Sequence, residues 1–149
     1  MVLGWRLMEK KNFYKKILII SSNFYPEISK NLQEGISNVL KTENIDYEFK
    51  SISGSLEIPL LLEKYKKQYL GYIIIGCVIR GETDHYEIVK NITYSQIYKI
   101  AYDNILPLSS ALLTVENYSQ ALERSDIKKK DYGGLAAKTC LNLIKKINE

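Results

Sequence analysis

Histidine is almost absent from this chain of 149 residues, which carries one, and cysteine is scarce, with two. A lone imidazole excludes a multi-histidine metal centre. Cys77 and Cys140 form no metal or redox spacing, and each sits in an apolar segment, so both read as buried thiols of a protein in a reducing cytoplasm. With three prolines and eight glycines there is no Pro/Gly-rich linker, and neither a repeat nor a low-complexity tract is present. No stretch approaches the ~20 apolar residues of a membrane span. The apolar patch at residues 1–8 is too short for the hydrophobic region of a signal peptide. Neither sign of charge dominates: 21 Lys and Arg stand against 17 Asp and Glu, a net +4 at pH 7. The basic residues are spread along the chain, which argues against a dedicated nucleic-acid surface and suits a small anionic substrate.

What is present is 46% hydrophobic residues in a length that suits one compact domain with a sizeable core. Regular patterning begins only after Lys11. Residues 1–12 therefore read as an N-terminal extension, with Met8 an alternative start, and 13–149 as the domain. Short apolar runs alternate with longer stretches of helical periodicity, the mark of an α/β protein. Residues 17–20 and 72–79 are nearly continuous in β-branched side chains, as expected of central strands covered on both faces. Ile45, Tyr47 and Phe49 alternate with Asp46, Glu48 and Lys50, which predicts an edge strand with one solvated face. A fourth strand is expected over 108–115, after Pro107.

Between the strands, Pro26 opens a helix whose Ile28, Leu32, Ile36, Val39 and Leu40 share one face. A second helix follows Pro59 and ends near Gly71. A third starts at about Thr83 or Asp84 and is expected to bury Ile88, Ile92 and Ile100. A short helix at 118–124 and a last one from about Gly134, with a stripe of Ala136, Cys140, Leu143, Ile144 and Ile147, complete the order βαβαβαβαα. Right-handed crossovers turn that order into a three-layer α/β/α sandwich, a flavodoxin-like, doubly wound, four-stranded parallel sheet whose ligands collect at the carboxyl ends of the strands.

Three segments stand at those ends: Ser22-Asn23-Phe24, Ser53-Gly54-Ser55-Leu56-Glu57-Ile58-Pro59, and 76–85. In the third, Arg80-Gly81-Glu82-Thr83-Asp84-His85 leaves a buried strand, turns at a glycine and opens a helix, where backbone amides can receive an anion. Thr83 adds a hydroxyl donor. His85, in the first turn beside that loop, is the side chain suited to exchange protons near neutral pH and is the catalytic candidate. The alternative is a surface histidine at a helix start.

The string Gly76-Cys77-Val78-Ile79-Arg80-Gly81-Glu82-Thr83-Asp84-His85-Tyr86 closely resembles the signature of the lumazine synthase family. Three further elements fall in the family's order: Asn23-Phe24, then Gly54-Ser55-Leu56-Glu57-Ile58-Pro59, then Thr114-Val115-Glu116-Asn117 leading into Gln120-Ala121-Leu122-Glu123-Arg124. The resemblance covers residue 13 to the C-terminus. It implies the condensation of a ribitylamino-pyrimidine with 3,4-dihydroxy-2-butanone 4-phosphate in riboflavin biosynthesis, through an imine, phosphate elimination and ring closure. By the same resemblance Phe24 stacks on the pyrimidine, and Ser55, Leu56 and Glu57 contact the ribityl chain and ring. Cys77, Val78 and Ile79 line the pyrimidine site, largely through backbone groups. Glu82 and Thr83 hold the sugar phosphate with Arg124, and His85 moves protons. No cofactor or metal is implied. The resemblance also implies a homo-oligomer, a pentamer or an icosahedral assembly of pentamers, in which Ser110 and Arg124 reach the crevice from a neighbouring copy.

Two positions depart from the family pattern. Ser110 stands where the family often has Phe, and Tyr132 where it has a lysine, while Lys128 matches and Lys129 and Lys130 stand in the same loop. The proline that often precedes Gly54 is also missing. Rival readings are an archaeal-type riboflavin synthase, which the His85 motif disfavours, a silent flavin- or lumazine-binding protein, and an unrelated doubly wound phosphate-binding domain.

Overall fold

In a computed structural model, which describes residues 15–82 and 85–149, four strands form one parallel sheet in the order β2-β1-β3-β4. They are β1 (Lys16–Ser22), β2 (Asp46–Ile52), β3 (Gly71–Ile79) and β4 (Leu108–Val115). Five helices cover them: α1 (Pro26–Thr42), α2 (Ile58–Tyr65), α3 (Tyr86–Asn104), α4 (Tyr118–Ser125) and α5 (Tyr132–Ile147). The expected N-terminal extension and Thr83 and Asp84 lie outside the described residues.

The sheet obeys the two-residue period of a strand and so separates two cores. Ile17, Ile19, Ile73, Ile75, Cys77, Ala111, Leu113 and Val115 face α1, α4 and α5, where they meet Leu32, Ile36, Ala137 and Cys140. Leu18, Ile20, Tyr72, Ile74, Leu108 and Leu112 face the opposite layer and meet Ile58, Leu62, Ile97 and Ala101 of α2 and α3. All nine residues of β3 are buried, whereas β2 is partly exposed at the sheet edge, as the two sequence patterns predict. Burying each large aliphatic side chain contributes roughly 1.5–3 kcal/mol, against about 0–1 kcal/mol for an exposed ion pair, so these two cores hold the fold. Among the described residues no helix is long and apolar enough to cross a membrane.

Three sequence expectations need correction. Helix α2 begins at Ile58 and stops at Tyr65, well short of Gly71. The Tyr72 hydroxyl, 2.5 Å from the Tyr65 carbonyl oxygen to which it donates, also accepts from the Gln68 and Tyr69 amides at 3.1 and 3.2 Å. It thus takes over partners that a further helical turn would have used, and Lys67 adopts a left-handed φ of 61° in the turn. Helix α3 buries Tyr86, Thr93, Ile97 and Ala101, while Ile88 and Ile92 are 55% and 48% exposed and Ile100 is half-buried. The expected stripe lies one residue, about 100°, away from the inward face, which is built from Tyr86, Thr93, Ile97 and Ala101. Ile147, the last of the α5 stripe, is exposed.

Helices α1 and α5 approach closely at Gly133, where an added Cβ would lie 2.3 Å from the Leu32 carbonyl oxygen. Backbone cannot yield there as a flexible side chain would. Gly133→Ala is expected to lower unfolding free energy by about 1–3 kcal/mol in urea titrations, with the midpoint moved and the slope unchanged.

Candidate active site

β1 and β3 are neighbours, but the chain leaves β1 toward β2 and leaves β3 toward β4. Their carboxyl ends therefore splay into a crevice at the switch point. The crevice has a volume of about 240 Å³ and is lined by Phe24, Tyr25, residues 54–57, Cys77, Val78, Ile79, Glu82 and Val89. The three loops singled out in the sequence do converge.

The first loop is tied down at both ends. Asn23 N–H donates to the Ile52 carbonyl at 2.8 Å, and Ser29 Oγ of α1 donates to the Ser22 carbonyl at 2.8 Å. Between these anchors Phe24 projects outward, 66% exposed, with its ring 5.0 Å from that of Tyr25 at 75°, an edge-to-face contact. An apolar ring held in water at the rim of a crevice is available to a flat ligand. In the second loop Ser55 is buried, Leu56 is exposed, and the Glu57 carboxylate turns back over Gly54.

The third loop leaves β3 through buried Cys77, Val78 and Ile79 and turns at Gly81, whose φ of +85° is a left-handed value that favours glycine. Arg80 frames it without entering the crevice. Its guanidinium lies 2.8 Å from the Glu87 carboxylate and 3.0 Å from that of Glu116, and 4.4 Å from the centre of the Tyr86 ring. Hydrogen bonds to Glu116 and Glu87 raise its pKa still further. These pairs are exposed and join the ends of β3 and β4 to the start of α3, ordering the loop more than stabilising the fold.

His85 occupies the N-cap of α3, exposed to solvent, and its carbonyl accepts from the Val89 amide at 2.8 Å. Val89, one turn later, lines the crevice, whereas His85 itself is not among the crevice-lining residues. Among the described residues no three His, Cys, Asp or Glu side chains gather as metal ligands would.

Ser110 and Arg124 do not line this crevice. Ser110 and Tyr132, the two departures from the family pattern, instead share a second cleft with Tyr98, Leu108, Leu135 and Thr139, opening along the outer edge of β4. Arg124 is half-buried in the last turn of α4, its Nη1 3.4 Å from Gln120 Oε1. Tyr25 and Val89 line the crevice although the sequence reading passed over them. Val89 was legible as the position one turn after His85. Tyr25 was visible only as an odd residue before Pro26, where a small polar cap is the rule.

A three-layer α/β domain with a glycine-turned loop and a solvent-held aromatic ring at a single crevice, and with its one histidine at the head of the helix that follows that loop, has the layout of an enzyme acting on a small polar substrate. Residues 14–148 match the model of the family described as 6,7-dimethyl-8-ribityllumazine synthase. A protein of that name from Bartonella tribocorum is 36% identical over 141 residues, covering 93% of each chain. Another from Novosphingobium aromaticivorans is 40% identical over 131 residues, covering 87% of this chain and 94% of its own. The chain belongs to the 6,7-dimethyl-8-ribityllumazine synthase family.

Burial, and next the negative charge of Glu82, push the Cys77 thiol from an ordinary 9.0 to about 12, and burial does the same for Cys140. Both are therefore protonated and poorly nucleophilic near neutrality. Iodoacetamide at pH 8 is expected to label the folded protein far more slowly than the urea-unfolded chain. Because folding favours the neutral thiols, their contribution to stability is whole below pH 9 and is lost between about pH 9 and 12, as the unfolded chain ionises first.

Proposed function

We propose that this crevice is where the chain condenses 5-amino-6-(D-ribitylamino)uracil with 3,4-dihydroxy-2-butanone 4-phosphate, giving 6,7-dimethyl-8-ribityllumazine with release of phosphate and water. The observation that carries the reading is the convergence of Phe24, the 54–57 turn, residues 77–79 and Glu82 on one crevice in a member of this family.

In this assignment the pyrimidine lies against the Phe24 face and the backbone of 77–79, and Ser55 and Glu57 receive the ribityl hydroxyls. The phosphate sits at Glu82, Thr83 and the start of α3, where a helix N-terminus and its dipole favour an anion. The amino group attacks the ketone and loses water to give an imine. A proton then leaves the sugar carbon as phosphate is expelled, and the ribitylamino nitrogen closes the second ring with loss of water. His85 is the group placed to move these protons. Much of the remaining acceleration comes from holding two reactants together.

The site takes its remaining wall and its guanidinium from a second copy. Two features support this: Ser110 and Arg124 lie away from their own crevice, and the α2–α3 side exposes Leu60, Ile88, Ile92 and Tyr102. Apolar surface of that kind on a protein with two complete cores marks an interaction face. A closed ring or a shell built of rings, with the protein in the cytoplasm, fits this arrangement.

Mixing the two substrates with the purified protein and following lumazine fluorescence tests the reading. Formation well above the uncatalysed rate is expected, and its absence would overturn the assignment. His85→Ala is expected to cut turnover by about 100-fold, at the low end of general acid–base effects, while pyrimidine binding stays within a factor of about two. Arg124→Ala is expected to raise KM for the sugar phosphate by about tenfold, as loss of a charge-assisted hydrogen bond does.

A further inference from the structure

Tyr25 occupies the N-cap of α1, yet its side chain makes no capping hydrogen bond. A tyrosine there forgoes the stabilisation that a Ser, Thr, Asp or Asn cap contributes. Its hydroxyl instead crosses the crevice and donates to the Glu82 carboxylate, a residue 57 positions later on the loop that leaves β3. The ring is held on two sides. It meets Phe24 edge-to-face at 5.0 Å and lies 6.1 Å from Tyr118 of α4, whose own hydroxyl donates to Glu27 of α1 at 3.0 Å. Burial, and then the bond and charge of Glu82, hold the Tyr25 hydroxyl well above the usual phenol range, so it stays a donor.

We infer that Tyr25 is a positioning residue for the reaction: its hydroxyl latches Glu82, holding the loop that receives the phosphate against the loop that carries Phe24. The inference rests on the reading that the phosphate sits at Glu82 and the start of α3. A carboxylate beside that subsite opposes a phosphate dianion by like-charge repulsion, the more so when it can swing. Bonded to Tyr25, the Glu82 carboxylate is fixed on the Phe24 side of the crevice. The ring that donates this bond also makes the edge contact on which the Phe24 ring leans. Loss of the hydroxyl frees the carboxylate and leaves that edge contact in place, so the effect falls on the sugar phosphate and spares the pyrimidine.

The experiment is a double-mutant cycle read on each substrate separately. Tyr25→Phe keeps the ring and its packing and removes only the hydroxyl. It is expected to raise KM for the butanone phosphate about 3- to 10-fold, the worth of one hydrogen bond, with the pyrimidine Kd within twofold and the melting temperature nearly unchanged. In a Glu82→Ala background the same substitution is expected to change nothing, since the partner is gone, and in a Glu82→Gln background, where an acceptor remains, part of the effect should return. Equal effects on both substrates, or the same effect with and without Glu82, would overturn the latch. Inorganic phosphate tests the underlying reading in the unsubstituted enzyme. If it fails to compete with the butanone phosphate while binding at Arg124 and the loop is sought directly by titration and not found, the phosphate assignment is what fails. If it competes and Tyr25→Phe leaves KM unaltered, the latch alone fails.

Discussion

Every part of the crevice is referred to β3, a strand buried on both faces over its whole length. Nine consecutive buried residues can be accommodated only in the middle of a sheet with helices on either side, so β1 and β4 must flank it and two separate cores must form. That burial is what gives the loop after Ile79 a fixed point of departure. Gly81 then turns the chain, Arg80 braces the turn through Glu87 and Glu116, and α3 starts at the rim of the crevice with His85 at its head. On the proposed function the chemistry falls on loops ordered by a few exposed contacts above the buried strands β1 and β3.

On the proposed function the crevice is half of a site. It offers an apolar ring in water, a polar turn and an anion loop, while the arginine and the β4 edge suited to complete it lie elsewhere on the chain. The exposed isoleucines of α3 point the same way. Ile88 and Ile92 lie outside both cores of their own chain, and leaving such side chains half in water forgoes roughly 1 kcal/mol each unless another surface covers them. Folding and function are thereby linked in this account through the same α3: its inward face closes a core, its outward face meets a neighbour, and its first turn carries His85.

The sheet was legible in the sequence because its signals are strong and one-dimensional. Runs of β-branched residues gave β1 and β3, alternation gave β2 as an edge, and Pro107 marked the entry to β4. The three functional loops were legible because ligands gather at strand ends and because the motif around Gly81 and His85 is long. The failures have physical causes. The spacing of Ile88, Ile92 and Ile100 predicts the inward face of α3, but Tyr86, Thr93, Ile97 and Ala101 occupy it and Ile88 and Ile92 face away. The early stop of α2 depends on the Tyr72 hydroxyl, a partner no local pattern discloses. The same holds for Tyr25, whose contact with Glu82 joins residues far apart in sequence.

The central claim is that one active crevice draws on two copies of the chain, and subunit complementation tests it most directly. His85→Ala damages the crevice side and Arg124→Ala the side presented to a neighbour, so an assembly of one variant alone has every site impaired. Co-refolded mixtures, with mixing verified by native mass spectrometry, are predicted to recover lumazine formation well above either variant alone, because some sites then pair an intact crevice with an intact arginine. Mixed assemblies whose activity is only the average of the two variants would contradict the account and place both residues in the site of a single chain.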